Sequence, residues 1–241
     1  SLKLMISSGA MFTTEVKRGL IDHVPELAIA DILGSTEGGM GQSIMTKDTP
    51  ASETAKFTLL PVAKVLLPDG SREVVPGSGE VGMVAQGGMV PLGYYKDPEK
   101  SAKTFKEVDG KRYAFIGDMA TVEADGTINL LGRGSNCINT GGEKVFPEEV
   151  EEALKLHADV ADALVFGLED ERFGNRVAGV VSLEQGGSAE AGDILEATRK
   201  LLASYKLPKD LLVVPVVPRA PNGKADYKTA KSMMADGLVI Q

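Results

Sequence analysis

The texture of the chain changes once, at Gly132-Arg133-Gly134-Ser135-Asn136, and that change limits the folds open to it. Ahead of it, short β-type runs are cut by glycine and proline. Phe57–Leu60, Ala63–Leu67 and Glu80–Ala85 read as strands. Pro68-Asp69-Gly70 is a turn in which proline presets φ and glycine accepts positive φ. Asp125-Gly126, between Ala120–Val122 and Ile128–Leu131, is a hairpin signal. These residues predict a small barrel-like β subdomain over 58–132. Behind the change, helix and strand patterns alternate. Pro147 before Glu148 and Glu149 opens a helix to about His157, with Val150, Ala153 and Leu154 inward. Strands follow at Val160–Leu168, Val177–Leu183 and Leu211–Val217, and helices at Ile194–Ala203 and Tyr227–Met234. That pattern predicts a compact α+β unit. The small and polar residues between the two regions suit a hinge, because they absorb backbone rotation.

The first part of the chain reads as a strand at Leu2–Ile6, then a helix opened by Thr13-Thr14-Glu15 with Val16, Leu20 and Ile21 on one face. Ala28–Leu33 is an apolar strand that stops at Gly34 and leads into a glycine-rich loop, Gly38-Gly39-Met40-Gly41. A chain that starts at Ser1 and enters a buried-type strand at once is expected to be a piece of a longer protein.

Charge narrows the partners. The 241 residues carry 34 acidic against 26 basic side chains, a net charge of −8. Such a chain lacks the basic face of a nucleic-acid binder, so phosphate contacts must come from a few placed groups. No apolar run reaches membrane-span length; the strongest, Leu211–Val217, is broken by Pro215. The single cysteine, Cys137, permits no intrachain disulfide, which fits a reducing, cytoplasmic setting and leaves peripheral membrane association open. Cys137 has no base nearby in sequence and reads as a packed residue. His23 and His157 lack metal-ligand partners and read as structural. Glu148, Glu149, Glu151 and Glu152 read as a solvated helix start.

Five segments carry the chemistry, in this order: Gly34-Ser35-Thr36-Glu37; Gly79-Glu80-Val81-Gly82 through Gly93-Tyr94-Tyr95; Gly117-Asp118 with Asp125-Gly126; Gly132-Arg133 with Gly141-Gly142-Glu143-Lys144; and Pro218-Arg219-Ala220-Pro221-Asn222-Gly223-Lys224. A hydroxyl such as that of Thr36 can hydrogen-bond a phosphate oxygen, and a carboxylate such as Glu37 can hold Mg²⁺ among phosphates. An aspartate such as Asp118 can accept from ribose hydroxyls. Paired glycines let backbone approach a ligand closely. A mobile lysine can offset charge where two anions meet. Each segment alone is commonplace, and in isolation most of these residues would read as turn or surface positions.

Taken together, over nearly the whole chain, they resemble the adenylate-forming superfamily of acyl-CoA synthetases, luciferases and peptide-synthetase adenylation domains. The resemblance implies the C-terminal portion of such an enzyme. Residues 1–57 would be the end of the large domain, 58–132 the β-rich subdomain, 133–136 the hinge and 137–241 an AMP-binding lid domain. It assigns Thr36 to the α-phosphate, Glu37 to Mg²⁺, Asp118 and Arg133 to the ribose, and Lys224 to the carboxylate and α-phosphate during adenylation. Gly141 and Gly142 would flank the pantetheine tunnel and Lys144 the nucleotide phosphates. Gly9, Ala10, Asp31, Leu33, Gly34 and Ser35 would lie on the nucleotide side, with Met11 following in the adenine-side loop. The implied reaction joins a carboxylic, in particular a fatty, acid to CoA at the expense of ATP, through acyl-AMP. Transfer to a carrier protein, or a non-catalytic binding role for this fragment, are the alternatives. The pattern departs in three places: Leu33 stands where an aromatic residue usually stacks on adenine, Ile116 where threonine is usual, and Ser135 at the hinge position. A Ser/Thr/Gly-rich phosphate loop followed by lysine is absent from these 241 residues, so the fragment alone is expected to be inactive.

Overall fold

Strand pairing in the computed structural model, which describes residues 2–9, 12–49 and 54–239, produces two separate sheets. Each belongs to one of two units, Ser1–Leu131 and Gly132–Gln241.

The first unit contains β1 (Leu4–Ser8), α1 (Thr14–His23), β2 (Ala28–Ser35), β3 (Gly38–Met45), β4 (Lys56–Leu59), β5 (Ala63–Leu66), β6 (Gly82–Gln86), α2 (Pro98–Thr104), β7 (Phe105–Val108), β8 (Lys111–Val122) and β9 (Ile128–Arg133), the last reaching across the boundary. Its nine strands run in the order β1-β2-β3-β4-β9-β8-β6-β5, with β7 on β8. Among the described pairings of this sheet, only β1 with β2 is parallel. The expected barrel-like closure is absent from the described pairings, because the ladder runs from β1 to β5 without returning on itself. The sheet continues across residue 57, where β4 pairs with β3 on one side and β9 on the other. Met40, Phe57, Val65, Val84 and Ile128 form the core beneath this ladder.

Two local expectations are corrected here. The glycine-rich segment 38–41 is not a loop but the start of β3. The turn falls earlier, at Thr36-Glu37, since Ser35 pairs with Gly38. Met40 is fully buried, and a Cβ on Gly41 would sit 3.0 Å from the Thr58 carbonyl oxygen, so small residues here allow close strand approach. In α1, capped by the Thr13 hydroxyl accepting from Val16 N–H at 3.2 Å, Val16 is exposed and Lys17 is buried with Ile21. Lys17 and Ile21 are four residues apart and share a helix face, whereas Val16 is turned away from it.

The second unit contains β10 (Ile138–Thr140), β11 (Glu143–Val145), α3 (Pro147–Lys155), β12 (Val160–Asp170), β13 (Gly174–Leu183), α4 (Ala191–Thr198), β14 (Asp210–Val213) and α5 (Tyr227–Val239). Its sheet order is β11-β10-β13-β12, with β14 parallel to β13. The central strands are buried on both faces. Ala163 and Val165 of β12 pack with Val150 and Leu154 of α3 and Ile194 of α4. Leu164 and Phe166 pack with Ala230 and Met234 of α5. Two covered faces explain why β12 reads as a nearly unbroken apolar run.

Candidate functional site

The β2–β3 hairpin carries Thr36 and Glu37 at its two-residue tip. Three side chains hold this turn. The Ser35 hydroxyl accepts from the Glu37 N–H at 3.1 Å, the Thr36 hydroxyl donates to Glu37 Oε2 at 3.0 Å, and the Tyr94 hydroxyl donates to Glu37 Oε1. Burial alone would raise the Glu37 carboxyl. Hydrogen bonds from Ser35, Tyr94, its own backbone and Thr36 outweigh that and bring it down to about 2. The carboxylate is therefore charged across the neutral range. Tyr94 comes from 57 residues away, with its ring 5.3 Å from Phe105 and the Lys100 ammonium 4.2 Å from the ring centroid. The Gly93-Tyr94-Tyr95 segment stands out in the sequence, but nothing in it says that Tyr94 reaches Glu37. Gly38 closes the turn at φ +148°, and a Cβ there would meet the Gln86 side-chain amide at 2.5 Å.

The remaining expected residues of this unit are placed differently. Gly34 and Ser35 end β2 beside the tip. Asp31 is only 4% exposed, and its carboxylate is taken by Lys17 at 2.8 Å, so it works as a strut between β2 and α1. Leu33 is buried against Met40 and its neighbours in the core. Gly9 has φ +86°, and nothing would obstruct a Cβ there. Ala10 and Met11 lie outside the described residues. Asp118 is buried within β8, after Gly117 at φ +98°.

In the second unit, Gly141 and Gly142 are the two residues between β10 and β11, since Thr140 pairs with Glu143. Both have positive φ, +60° and +92°, the geometry of a tight primed hairpin turn. A Cβ on Gly141 would contact Phe173 at 3.2 Å; one on Gly142 would meet nothing. Lys144 is exposed on β11, and Arg133 is exposed at the start of the unit. Lys224 stands on a second hairpin, closed by Ala220 N–H to Lys224 O and Gly223 N–H to Ala220 O, each 2.8 Å. Arg219 anchors that hairpin to Asp162 of β12 at 2.7 and 2.9 Å. The Lys224 side chain is exposed, and among the described residues its ammonium has no ion pair. The scaffold is fixed and the ammonium is left free to swing, as a cation that meets a transient anion requires.

The acidic start of α3 is not the solvated cluster expected. Glu151 is 8% exposed and accepts from the Val165 N–H at 2.9 Å. Burial, and then the neighbouring Glu148, push its carboxyl up to about 7 against that hydrogen bond. Glu149 is paired with Lys206 at 2.6 Å, and Glu152 with Lys155. Burial raises the Cys137 thiol, in keeping with a packed rather than nucleophilic residue. Beside it an open, largely polar cleft of about 250 Å³ is lined by Asn136, Asn175, Tyr227 and Lys231. No group of three or more metal-type side chains occurs among the described residues. Glu37 nevertheless fits a Mg²⁺ ion that takes its other ligands from phosphates and water, which needs one ionised carboxylate.

Residues 149–224 match the family model of the AMP-binding enzyme C-terminal domain. Over 97% of its length the chain is 46% identical to a medium/long-chain-fatty-acid–CoA/3-oxocholest-4-en-26-oate–CoA ligase of Mycolicibacterium smegmatis, of which it covers 42%. It is likewise 46% identical, over 96% of its length, to the 3-oxocholest-4-en-26-oate–CoA ligase of Rhodococcus rhodochrous, again covering 42% of that protein. The chain thus spans less than half the length of these curated relatives. Among solved structures, ATP-bound MatB from Rhodopseudomonas palustris superposes with a TM-score of 0.80 at 26% identity, covering 96% of this chain and 45% of that one.

Proposed function

The chain belongs to the adenylate-forming superfamily, among the acyl-CoA ligases, and we propose that it forms the C-terminal portion of an enzyme joining a fatty or sterol-derived carboxylic acid to CoA. The 46% identity to such a ligase along 97% of the chain is the observation that carries this reading. In the first half-reaction the acid's carboxylate attacks the α-phosphorus of ATP. The bond to pyrophosphate breaks and acyl-AMP forms. In the second, the CoA thiol, having lost its proton, attacks the acyl carbon, and AMP leaves. Mg²⁺, held by Glu37, would neutralise phosphate charge.

This chain's residues divide that work. The Thr36 hydroxyl donates to the α-phosphate, while Ser35 and Tyr94 keep Glu37 ionised and oriented. Asp118 accepts from the ribose hydroxyls, assisted by Arg133. Lys224 places a positive charge where carboxylate and α-phosphate must approach. Gly141 and Gly142 leave room for the pantetheine arm, and Lys144 lies toward the phosphates. Residues 1–57 close the large domain, 58–132 form its β-rich part, and the lid of 137–241 turns about 133–136 between half-reactions. The enzyme works in the cytoplasm, where ATP and CoA are supplied, with access to membrane surfaces.

The test separates the half-reactions in the full-length enzyme. Lys224→Ala should lose about 10²-fold or more in acid-dependent pyrophosphate exchange, the scale for removing one stabiliser of developing charge. Given preformed acyl-adenylate and CoA, it should form thioester near the wild-type rate. Equal loss in both assays would refute the assigned role of Lys224 and the alternation.

A further inference from the structure

The hairpin that carries Lys224 closes on itself. The Asp226 N–H donates to Pro218 O at 3.2 Å, Arg219 pairs with Ala225 in an antiparallel bridge, and the Lys224 N–H donates to Asn222 Oδ1 at 3.2 Å. With the Ala220 N–H on Lys224 O, both backbone groups of Lys224 are satisfied inside the turn. The tip therefore behaves as one body, and the point from which the Lys224 side chain reaches out depends on how that body is fastened.

Two fastenings sit at its base. Val217 on the incoming side is buried, and Ala225 and Tyr227 on the outgoing side pack on the same core, with Ala230 and Met234 of α5. Asp226 also caps α5, accepting from the Thr229 N–H at 3.1 Å and the Thr229 hydroxyl at 2.7 Å. Both fastenings lie at the same end, so by themselves they would let the tip pivot over the base. Arg219 supplies a third. Its guanidinium donates to the two carboxylate oxygens of Asp162 at 2.7 and 2.9 Å and to Ala163 O at 3.3 Å. Such a fork fixes orientation as well as distance.

Asp162 is placed to receive it. The pairing of β12 with β13 shifts register between Val160 and Asp162, and a bulge of this kind re-aims a side chain off the regular alternation. The Ala163 N–H then donates to Asp162 Oδ1 at 2.8 Å and orients the carboxylate. Every group in this arrangement belongs to the second unit.

We propose that Arg219 is a positioning residue for Lys224: its fork on Asp162 sets the place from which the Lys224 ammonium reaches the reacting anions. The inference rests on the role proposed for Lys224 in adenylation.

The experiment measures acid-dependent pyrophosphate exchange, and thioester formation from preformed acyl-adenylate, in the full-length enzyme. The variants are Arg219→Ala, Arg219→Lys, Lys224→Ala and Arg219→Ala combined with Lys224→Ala. Arg219→Ala should lose about tenfold or more in exchange, since misplacing a reacting group by about 1 Å can cost on the order of 10²-fold. Arg219→Lys keeps the charge without the fork and should fall between that variant and wild type. Thioester formation should stay near wild type in both. The double variant should exchange no more slowly than Lys224→Ala alone, because Arg219 acts through the lysine. Amide hydrogen exchange should quicken across residues 218–226 in both Arg219 variants and stay unchanged in α3. Should Arg219→Ala fail to fold, Arg219→Lys decides by the same criteria. Wild-type exchange by the Arg219 variants beside an impaired Lys224→Ala, or a further loss in the double variant, would overturn the proposal and leave the role of Lys224 standing. Equal loss in both half-reactions by the Arg219 variants would show a merely structural part and overturn it as well. Unimpaired exchange by Lys224→Ala would overturn the role of Lys224 itself, and this inference with it.

Discussion

Glu37 and Glu151 are carboxylates of the same kind driven in opposite directions by their surroundings. At Glu37 four hydrogen bonds outweigh burial; at Glu151 burial prevails over one. The second case has a measurable sign. With a folded value of about 7 against an ordinary 4.5, Glu151 keeps its proton in the folded state while the unfolded chain has already lost it. Its contribution to stability is therefore complete below about pH 4.5 and falls away as pH rises through about 7. Glu151→Gln keeps an oxygen for the Val165 N–H and removes the ionisation. Denaturant melts should find the variant unchanged at pH 4 and more stable than wild type at pH 8, by on the order of 3 kcal/mol. Equal stability at both pH values would mean that Lys155 and Arg219 compensate the charge of Glu151 against the burial and the neighbouring Glu148 that oppose it. Neither residue's state was fully legible from its neighbours. One of the partners of Glu37 lies 57 positions away, and Glu151 carries the same letter as its hydrated-looking neighbours.

Among the elements, α1 shows how a helix is fastened to a sheet by something other than grease. Lys17 and Asp31 are about 5% exposed at their side chains and joined at 2.8 Å. Asp31→Ala would strand a buried ammonium and should cost about 3–5 kcal/mol, whereas Lys17→Met with Asp31→Leu should come close to wild type. Thermal melts of the two variants check this, and a stable Asp31→Ala would sink it. Helix and strand positions were legible wherever apolar residues followed a period: α3, β12 and β13 lie close to where their side-chain patterns put them. The failures were positions where side chains say little. Gly38, Gly39 and Gly41 have none to alternate, so β3 looked like a loop, and the burial of Lys17 depends on an aspartate in another element. The tip residues Thr36 and Glu37 were legible as a motif, yet the turn they occupy was not. The charge on Glu37 is governed partly by Tyr94, which no spacing announces.

On the scale of the molecule, the five core clusters each lie within one unit, three before residue 132 and two after it. The second unit buries both faces of its central strands with its own helices. Residues 132–241 expressed alone should therefore show one cooperative thermal transition and sharp resistance to protease; a broad transition with strong binding of a hydrophobic dye would contradict this. The change in texture near residue 133 was legible because the strands that follow it alternate with helices, which cover both faces of their sheet. The open edge-to-edge path of the first sheet was not, since short strands with glycine turns suit a barrel and an open sheet alike. The junction itself admits little change, because Gly132 sits at φ +122°, a conformation that L side chains rarely adopt, and a Cβ there would also displace the Glu148 carboxylate. For inheritance, this makes the stretch after Leu131 a natural splice point. A gene crossover there severs no core cluster among the described residues, and as long as the glycine travels with the downstream piece, the second unit can pass from one protein to another as a cassette.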